Sequence, residues 1–291
     1  MSACVSLKNL QRQFSRVTVL QGINAEVLPG QVIALLGKNG AGKTTLLETI
    51  LGFGFPSAGE ARLWQLDATQ IANETKQRIG FVPQQDELLP SLTGGDHLKL
   101  FKSFRPRWNQ SLVDKLVAEW LIPMTIPTGK MSVGQRQKLS ILLALAHEPE
   151  LLILDEPVAS LDPIARRQFL QQLVDIAADE NRAVIFSTHI VSDVERVANQ
   201  VWMLREGAFA YQGGLDELKE SVARVTLLAA EKFPEKLDFP DLINQKIQAN
   251  SAQLTFINWS AAREQQLTNQ FAAQIDVQYL SLEDIFLEMN P

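Results

Sequence analysis

Hydrophobic positions change their spacing several times along this chain, and each change predicts a different kind of element. Up to about Phe81 the pattern is strand-rich: Ile23-Asn24-Ala25-Glu26-Val27 alternates with period two, Pro29-Gly30 predicts a turn, and Gln31–Leu36 is an apolar run that predicts a buried strand. Thr44–Leu51 then predicts a helix. From Asp86 to about Gly129 the spacing becomes helical, with amphipathic segments over Asp96–Phe104 and Ser111–Leu121 separated by Pro106. From Leu139 to Tyr211 strands and helices alternate: Leu151–Leu154 and Ala183–Phe186 predict buried parallel strands, and Ile164–Ala178 the helix between them. Such alternation predicts an α/β fold with a doubly wound parallel sheet. Beyond Gly213-Gly214 the texture changes again: strands over Val225–Leu228 and Gln253–Phe256 and helices over Ala261–Phe271 and Leu282–Met289 predict a small α+β domain.

Composition adds bounds rather than detail. The 291 residues accommodate one large domain or two smaller ones, and a 46% hydrophobic content supports a substantial core. A formal net charge of -6 argues against a general nucleic-acid binder. Cys4 is the single cysteine, so no internal disulfide is expected and a reducing compartment fits. His97, His147 and His189 are far apart and show no metal-ligand spacing. The first residues lack a basic segment followed by an apolar one, so no signal peptide is expected. The most apolar stretch, Leu139–Ala146, is far short of the ~18 residues that a membrane span needs. If the protein works at a membrane, a partner must supply the spans.

The chemistry is concentrated in two segments. Gly37-Lys38-Asn39-Gly40-Ala41-Gly42-Lys43-Thr44-Thr45 fits the G-x-x-x-x-G-K-[ST] phosphate-binding loop and sits between a predicted strand and a predicted helix, where that loop must sit. Its glycines let successive backbone N–H groups turn toward phosphate oxygens, and the helix N-terminus adds a positive dipole end. Lys43 suits the β- and γ-phosphates, and the Thr44 hydroxyl suits Mg²⁺. The second segment, Leu151-Leu152-Ile153-Leu154-Asp155-Glu156, sets two carboxylates at the end of an apolar strand, where ligands of parallel sheets bind. Asp155 is placed to hold Mg²⁺, and Glu156 to orient or deprotonate an attacking water.

With these two segments in hand, a further ordered set of residues resembles the nucleotide-binding subunits of ATP-binding cassette (ABC) transporters, over about Val5 to Leu218. Gly37–Thr45 resembles that family's Walker A loop, Gln84 its Q-loop glutamine, and Met131-Ser132-Val133-Gly134-Gln135 its L-S-G-G-Q signature. Leu151–Glu156 resembles the Walker B strand with its catalytic glutamate, Ser160-Leu161-Asp162 the D-loop, and Ser187-Thr188-His189 the switch histidine. Phe14 stands where the family stacks an aromatic on adenine. The resemblance implies a P-loop NTPase cassette over residues 1–218: a RecA-like parallel-sheet core, an antiparallel β subdomain, and a helical subdomain over about 86–130. Residues 219–291 would form a small C-terminal accessory domain.

The same resemblance implies ATP and Mg²⁺ as cofactors. Glu156, His189, Gln84 and Lys43 would be catalytic; Thr44, Gln84 and Asp155 would hold the metal. Phe14, Gly37, Asn39, Gly40, Ala41, Gly42, Lys43, Thr44 and Thr45 would bind the nucleotide on one chain; Ser132, Gly134, Gln135 and Asp162 would complete the site of a second, identical or paralogous. It also implies an integral membrane permease as partner, a peripheral position on the cytoplasmic face of the membrane, and no nucleic-acid partner. Leu98, Leu100, Phe101, Phe104 and Trp108 offer either a groove for a helix of that permease or the helical region's own core. Tyr279–Leu287 resembles the closing segment of ABC-2 type export ATPases and so implies export, or else a terminal helix that aids dimerisation.

Two signature positions depart from the pattern: Met131 replaces leucine, and Val133 replaces the first glycine. Val158-Ala159-Ser160 also replaces the more usual Thr-Ser-Gly run. Three other readings compete. A non-transport ABC ATPase of ribosomes or DNA is the nearest, although the chain has one cassette, no sustained heptads and an acidic balance. A GTPase would need a guanine-reading Asn/Thr-Lys-x-Asp segment, which Thr75-Lys76-Gln77-Arg78 does not supply. A small-molecule kinase would have no use for the signature-like segment or His189.

Overall fold

The computed structural model describes residues 2–290, and these divide into two compact units, one up to Tyr211 and one from Gln212. Within the first unit, β1 (Val5–Phe14) and β2 (Val17–Val27) form an antiparallel pair that continues through β4 (Ala58–Leu63) and β5 (Leu66–Asp67) into a four-stranded sheet ordered β2-β1-β4-β5. Along β2, Leu20, Ile23, Ala25 and Val27 are buried while Gln21, Asn24 and Glu26 are exposed. That alternation is what a sheet with one covered face requires.

The second sheet of this unit has six strands in the order β10-β9-β3-β8-β7-β6. They are β3 (Val32–Leu36), β6 (Ile79–Val82), β7 (Leu151–Leu154), β8 (Ala183–Thr188), β9 (Gln200–Arg205) and β10 (Ala208–Gly214). The run β9-β3-β8-β7-β6 is parallel. Every residue of β3, β7 and β8 is buried, as expected of central parallel strands covered on both faces. The helix α1 (Lys43–Ile50) contributes Leu46, Leu47 and Ile50 to one core, which also takes in Leu7, Leu20 and Leu63 from the antiparallel sheet and Ile33, Ile153 and Ile185 from the parallel one. The phosphate-binding loop is thereby anchored at both ends.

Between β6 and β7 lies the helical region. After the short α2 (Asn73–Lys76), which precedes β6, come α3 (Gly94–Ser103), α4 (Gln110–Glu119) and α5 (Val133–Leu145). α3 opens with a capping box between Thr93 and Asp96, and α5 with one between Ser132 and Gln135. α6 (Pro163–Ala177) follows β7, with Asp162 as N-cap and Pro163 at the first helical position, a placement that suits both residues. α7 (Val191–Val197) follows β8.

The second unit holds an antiparallel sheet ordered β12-β13-β11-β14, built from β11 (Ala223–Leu228), β12 (Leu242–Gln248), β13 (Ser251–Phe256) and β14 (Gln274–Tyr279). Its helices are α8 (Leu215–Ser221), α9 (Ala261–Phe271) and α10 (Leu282–Met289). Val225, Leu227, Leu254, Phe256 and Leu267 form its core, and Phe239 and Phe271 pack edge to face on its margin. Sequence patterning predicts two of these strands and misses β12 and β14, none of whose residues is fully buried, although Ile275 and Val277 alternate along β14 and pack against the core.

Candidate functional site

Four neighbouring parallel strands end at the same edge of the six-stranded sheet. In register, Leu36 faces Thr188, Leu154 faces Phe186, and Val82 faces Leu154. The chain therefore leaves β3 into Gly37, β7 into Asp155, β8 into His189 and β6 toward Gln84 within one small volume. This is the crevice at the carboxyl ends of strands where ligands of such sheets bind.

The loop after β3 is shaped by its glycines at two points. A side chain at Gly37 would place its Cβ 2.6 Å from the Leu204 carbonyl oxygen, so the backbone passes too close for any other residue. Gly42 caps α1 at φ 104°, a left-handed conformation that only glycine adopts without strain. A cavity of about 250 Å³ opens above the loop, lined by Val19, Asn39, Gly40, Gly42, Lys43, Thr44, Thr45, Gln84, Asp155 and Glu156. Gly37 and Ala41 belong to the backbone turn beneath it, where the Ala41 N–H donates to the Lys38 carbonyl at 3.1 Å.

Inside this cavity the charged groups hold one another. The Lys43 ammonium donates to the Gly37 carbonyl at 2.8 Å and lies 3.6 Å from Glu156 Oε1. Glu156 Oε2 lies 2.8 Å from His189 Nδ1, with the carboxylate as acceptor. Thr44 Oγ1 donates to Asp155 Oδ2 at 2.6 Å. Ser187, at the end of β8 and fully buried, makes a double connection: its hydroxyl donates to Asp155 Oδ1 at 2.5 Å and accepts the Glu156 N–H at 2.7 Å. Glu156 itself adopts φ 48°, a left-handed backbone that costs a non-glycine residue on the order of 1 kcal/mol. The Ser187 bond to its N–H and the Ala159 N–H on its carbonyl at 3.2 Å both engage that backbone. Patterning registers Ser187 only as a neighbour of His189; the sole signal for more is a hydroxyl at the end of an otherwise apolar strand.

The donor set at the Thr44–Asp155 contact is all oxygen: one hydroxyl, one carboxylate, and the Gln84 amide on the same cavity wall. Such hard ligands fit Mg²⁺, which is bound by few protein groups and completes its shell with water and substrate phosphate. Among the described residues no group of three or more His, Cys, Asp or Glu side chains is placed to hold a metal ion.

The remaining predicted site residues lie outside the phosphate cavity. Ser132 Oγ accepts the Gln135 N–H at 3.2 Å, and Gln135 Oε1 accepts the Ser132 N–H at 2.9 Å, so both side chains cap α5. Gly134 is tight against the Ser160 carbonyl, 3.0 Å from where a Cβ would sit. Val133 is 54% exposed, so the departure from the signature pattern puts an apolar side chain on the surface. A separate groove of about 520 Å³ runs between Gln84, Val133 and Ser160, and Arg136 pairs there with Asp86 at 2.9 Å. Asp162 caps α6 through the Ile164 and Ala165 N–H groups, and the Ala165 hydrogen bond, with lesser help from Lys138, holds its carboxyl below the usual aspartate range. Phe14 ends β1 half-exposed with the Arg12 guanidinium 4.6 Å from its ring centroid. Of the apolar residues in the helical region, Leu100, Phe101 and Phe104 line a groove of about 540 Å³ with Lys76 and Arg105, and Phe104 is 67% exposed. Leu100 and Phe101 are half-buried and Phe104 is exposed. No helix among the described residues is long and apolar enough to cross a membrane.

Comparison with known proteins agrees with this geometry. The model of the ABC transporter family matches residues 20–159. The chain is 30% identical over 230 residues to a bacitracin transport ATP-binding protein of Enterococcus faecalis, covering 78% of this chain and 74% of that one. It is 31% identical over 224 residues to Nod factor export ATP-binding protein I of Burkholderia orbicola (strain AU 1054), covering 75% and 73%. Among solved structures it is similar to an ATP-binding subunit of an ABC transporter, with TM-score 0.68, 26% identity, and 75% of this chain and 92% of that one covered. The fold also matches a dimeric ATP-binding cassette in a post-hydrolysis state bound to ADP and Pi, with TM-score 0.65, 22% identity, and 72% and 98% covered.

Proposed function

This chain belongs to the ATP-binding proteins of ABC transporters, and from that premise we propose how its residues bind and hydrolyse ATP and to what end. The observation that carries the reading is the convergence of Lys43, Thr44, Gln84, Asp155 and Glu156 on one cavity, with His189 on Glu156. The loop Gly37–Thr45 cradles the phosphates of ATP, and Lys43 leaves its contact with the Gly37 carbonyl to bridge the β- and γ-phosphates. Thr44, Asp155 and Gln84 hold Mg²⁺, which when bound neutralises phosphate charge. Glu156 accepts a proton from, or orients, the attacking water, and His189 keeps that carboxylate aimed. Phe14 stacks on the adenine ring from its exposed position at the end of β1.

Ser132, Gly134 and Gln135 stand apart from the phosphate cavity of their own chain, and this supports a site completed by a second ATP-binding subunit in head-to-tail arrangement. Each signature segment, with Asp162 nearby, then covers the γ-phosphate held by the other chain, and hydrolysis removes the contact that favours closure. The exposed groove of Leu100, Phe101 and Phe104 receives a segment of a membrane permease, so the protein works at the cytoplasmic face of the membrane. Export is the direction we favour, because the relatives include a Nod factor export protein.

The test is to express tagged Glu156→Gln in the native cell, retain ATP, and identify what co-purifies from solubilised membranes and from cytosol. A multi-span membrane protein in stoichiometric amount is expected. Ribosomes or DNA-repair proteins, with nothing from the membrane, would overturn the transport reading.

A further inference from the structure

Two charged side chains outside the phosphate cavity join the helices that follow β7 and β8. Arg166 lies in the first turn of α6, and Asp193 in the first turn of α7. The guanidinium meets the carboxylate along its Nε–Nη2 edge: Nε is 2.9 Å from each carboxylate oxygen, and Nη2 is 2.6 Å from Oδ1. Nη2 also lies 3.5 Å from Ser192 Oγ. Asp193 is almost wholly buried, at 2% exposure, and the guanidinium supplies the hydrogen bonds to its carboxylate.

The consequence for His189 follows from what else holds α7. This helix has seven residues, too few to persist on its own propensity; Val191 and Val194 bury its apolar face, while its N-cap Ile190 supplies no side-chain hydrogen bond, so the Arg166–Asp193 pair is the polar anchor of its first turn. The turn that leads into it is short: the Ile190 N–H donates to Thr188 Oγ1 at 3.0 Å, and the Asp193 N–H donates to the Ile190 carbonyl at 3.2 Å. His189 lies between Thr188 and Ile190 in that turn, four residues before Asp193. α6 at the other end of the pair is fixed by its Asp162 cap and by Phe169, Leu170 and Leu173 in the core.

We propose that Arg166 and Asp193 are positioning residues for hydrolysis: by pinning the first turn of α7 to the first turn of α6, they fix the His189 ring against Glu156. The proposal rests on the reading of Glu156 and His189 as hydrolytic groups. It also gives the segment Ser160–Asp162, which leads into α6, a covalent and ionic route to the histidine without touching nucleotide.

The chain has three histidines, so histidine-selective ¹³C/¹⁵N labelling of the full-length protein reads His189 against His97 and His147 as internal references. Arg166→Gln and the near-isosteric Asp193→Asn are each expected to shift the His189 ring signals and leave the other two in place. ATP affinity and KM should stay within about twofold, while kcat falls about tenfold to a hundredfold, the scale of a small misplacement of a catalytic group. In a His189→Ala background, Arg166→Gln should lower kcat no further. Unmoved His189 signals in both folded variants would overturn the proposal, as would a further loss of kcat in the His189→Ala background. If His189→Ala alone turns over at the parent rate, what fails is the reading of His189 as a hydrolytic group; shifted ring signals in Arg166→Gln would still establish that the pair orients the ring.

Discussion

Lys43, Asp155 and Glu156 in the first unit and Glu288 in the second are all charged groups drawn out of solvent, but their partners differ in kind. Lys43, Asp155 and Glu156 are at most 7% exposed, yet they line an open cavity and lean on one another, a hydroxyl and a histidine. Glu288 sits in α10 with each carboxylate oxygen taken: Arg224 Nη2 donates to Oε1 and Asn244 Nδ2 to Oε2, both at 2.5 Å. Burial alone would raise its pKa, but the hydrogen bonds from Arg224 and Asn244 outweigh it and hold the carboxyl low. The difference separates a site from a strut. Charges that face a cavity are available to exchange one another for a ligand. Charges whose acceptors are spent hold secondary structure together and have nothing left to offer.

That contrast can be broken by experiment. A stability effect is expected in the second unit, where Arg224→Met leaves half-buried Glu288 with Asn244 alone and costs about 1.5–3 kcal/mol of unfolding free energy, the order of a hydrogen bond to a charged group. ATP affinity should not change. Denaturant unfolding beside nucleotide titration checks both, and a weakened ATP affinity would mean that the polar pair reaches the site.

His147 is the next case and belongs to the first unit without belonging to the cavity. Its Nε2 bonds the Ile79 carbonyl at 3.0 Å, and burial, with the positive charges of Arg105 and Arg107, pushes its pKa down to about 4. The folded protein therefore keeps it neutral where the unfolded chain, near 6.5, takes up a proton. The unfolded state binds more protons between these values, so stability is complete above about pH 6.5 and falls as pH drops toward 4. The span corresponds to about 3 kcal/mol at most. In His147→Leu the unfolding free energy should lose that acid slope, as read by denaturant curves from pH 7 to 4.

A smaller effect sharpens the account of the cavity. Lys43→Ala removes the charged donor, and ATP affinity should fall by roughly tenfold to a hundredfold, the worth of a charge-assisted hydrogen bond of about 1.5–3 kcal/mol. Equilibrium binding of a fluorescent ATP analogue reads it, and an unchanged Kd would place the phosphates elsewhere.

Much of the first unit is legible in sequence because its chemistry is local. Gly37–Thr45 is a run of consecutive residues, most of them lining one cavity, and Asp155-Glu156 closes a four-residue apolar strand, so spacing alone places both. The buried runs of β3, β7 and β8 are equally plain. The hydroxyl of Ser187 and the Arg166–Asp193 pair are not, because each acts on a partner 27 to 32 residues away and follows no periodicity. The second unit suffers more. β14 pairs with β11 from Gln274 to Tyr279, and only Ile275, Val277 and Tyr279 alternate along it, a signal too short to set it apart from the polar stretch around it.

The central claim is that ATP held on Gly37–Thr45 is hydrolysed with Glu156 acting on the attacking water. Single-turnover release of phosphate from ATP by the parent chain and by Glu156→Gln tests it most directly. Removing a general base should slow release by about 10²- to 10⁴-fold while ATP binding is retained, and the ATP-loaded variant should run as a dimer. Phosphate release by Glu156→Gln at the parent rate would contradict the account.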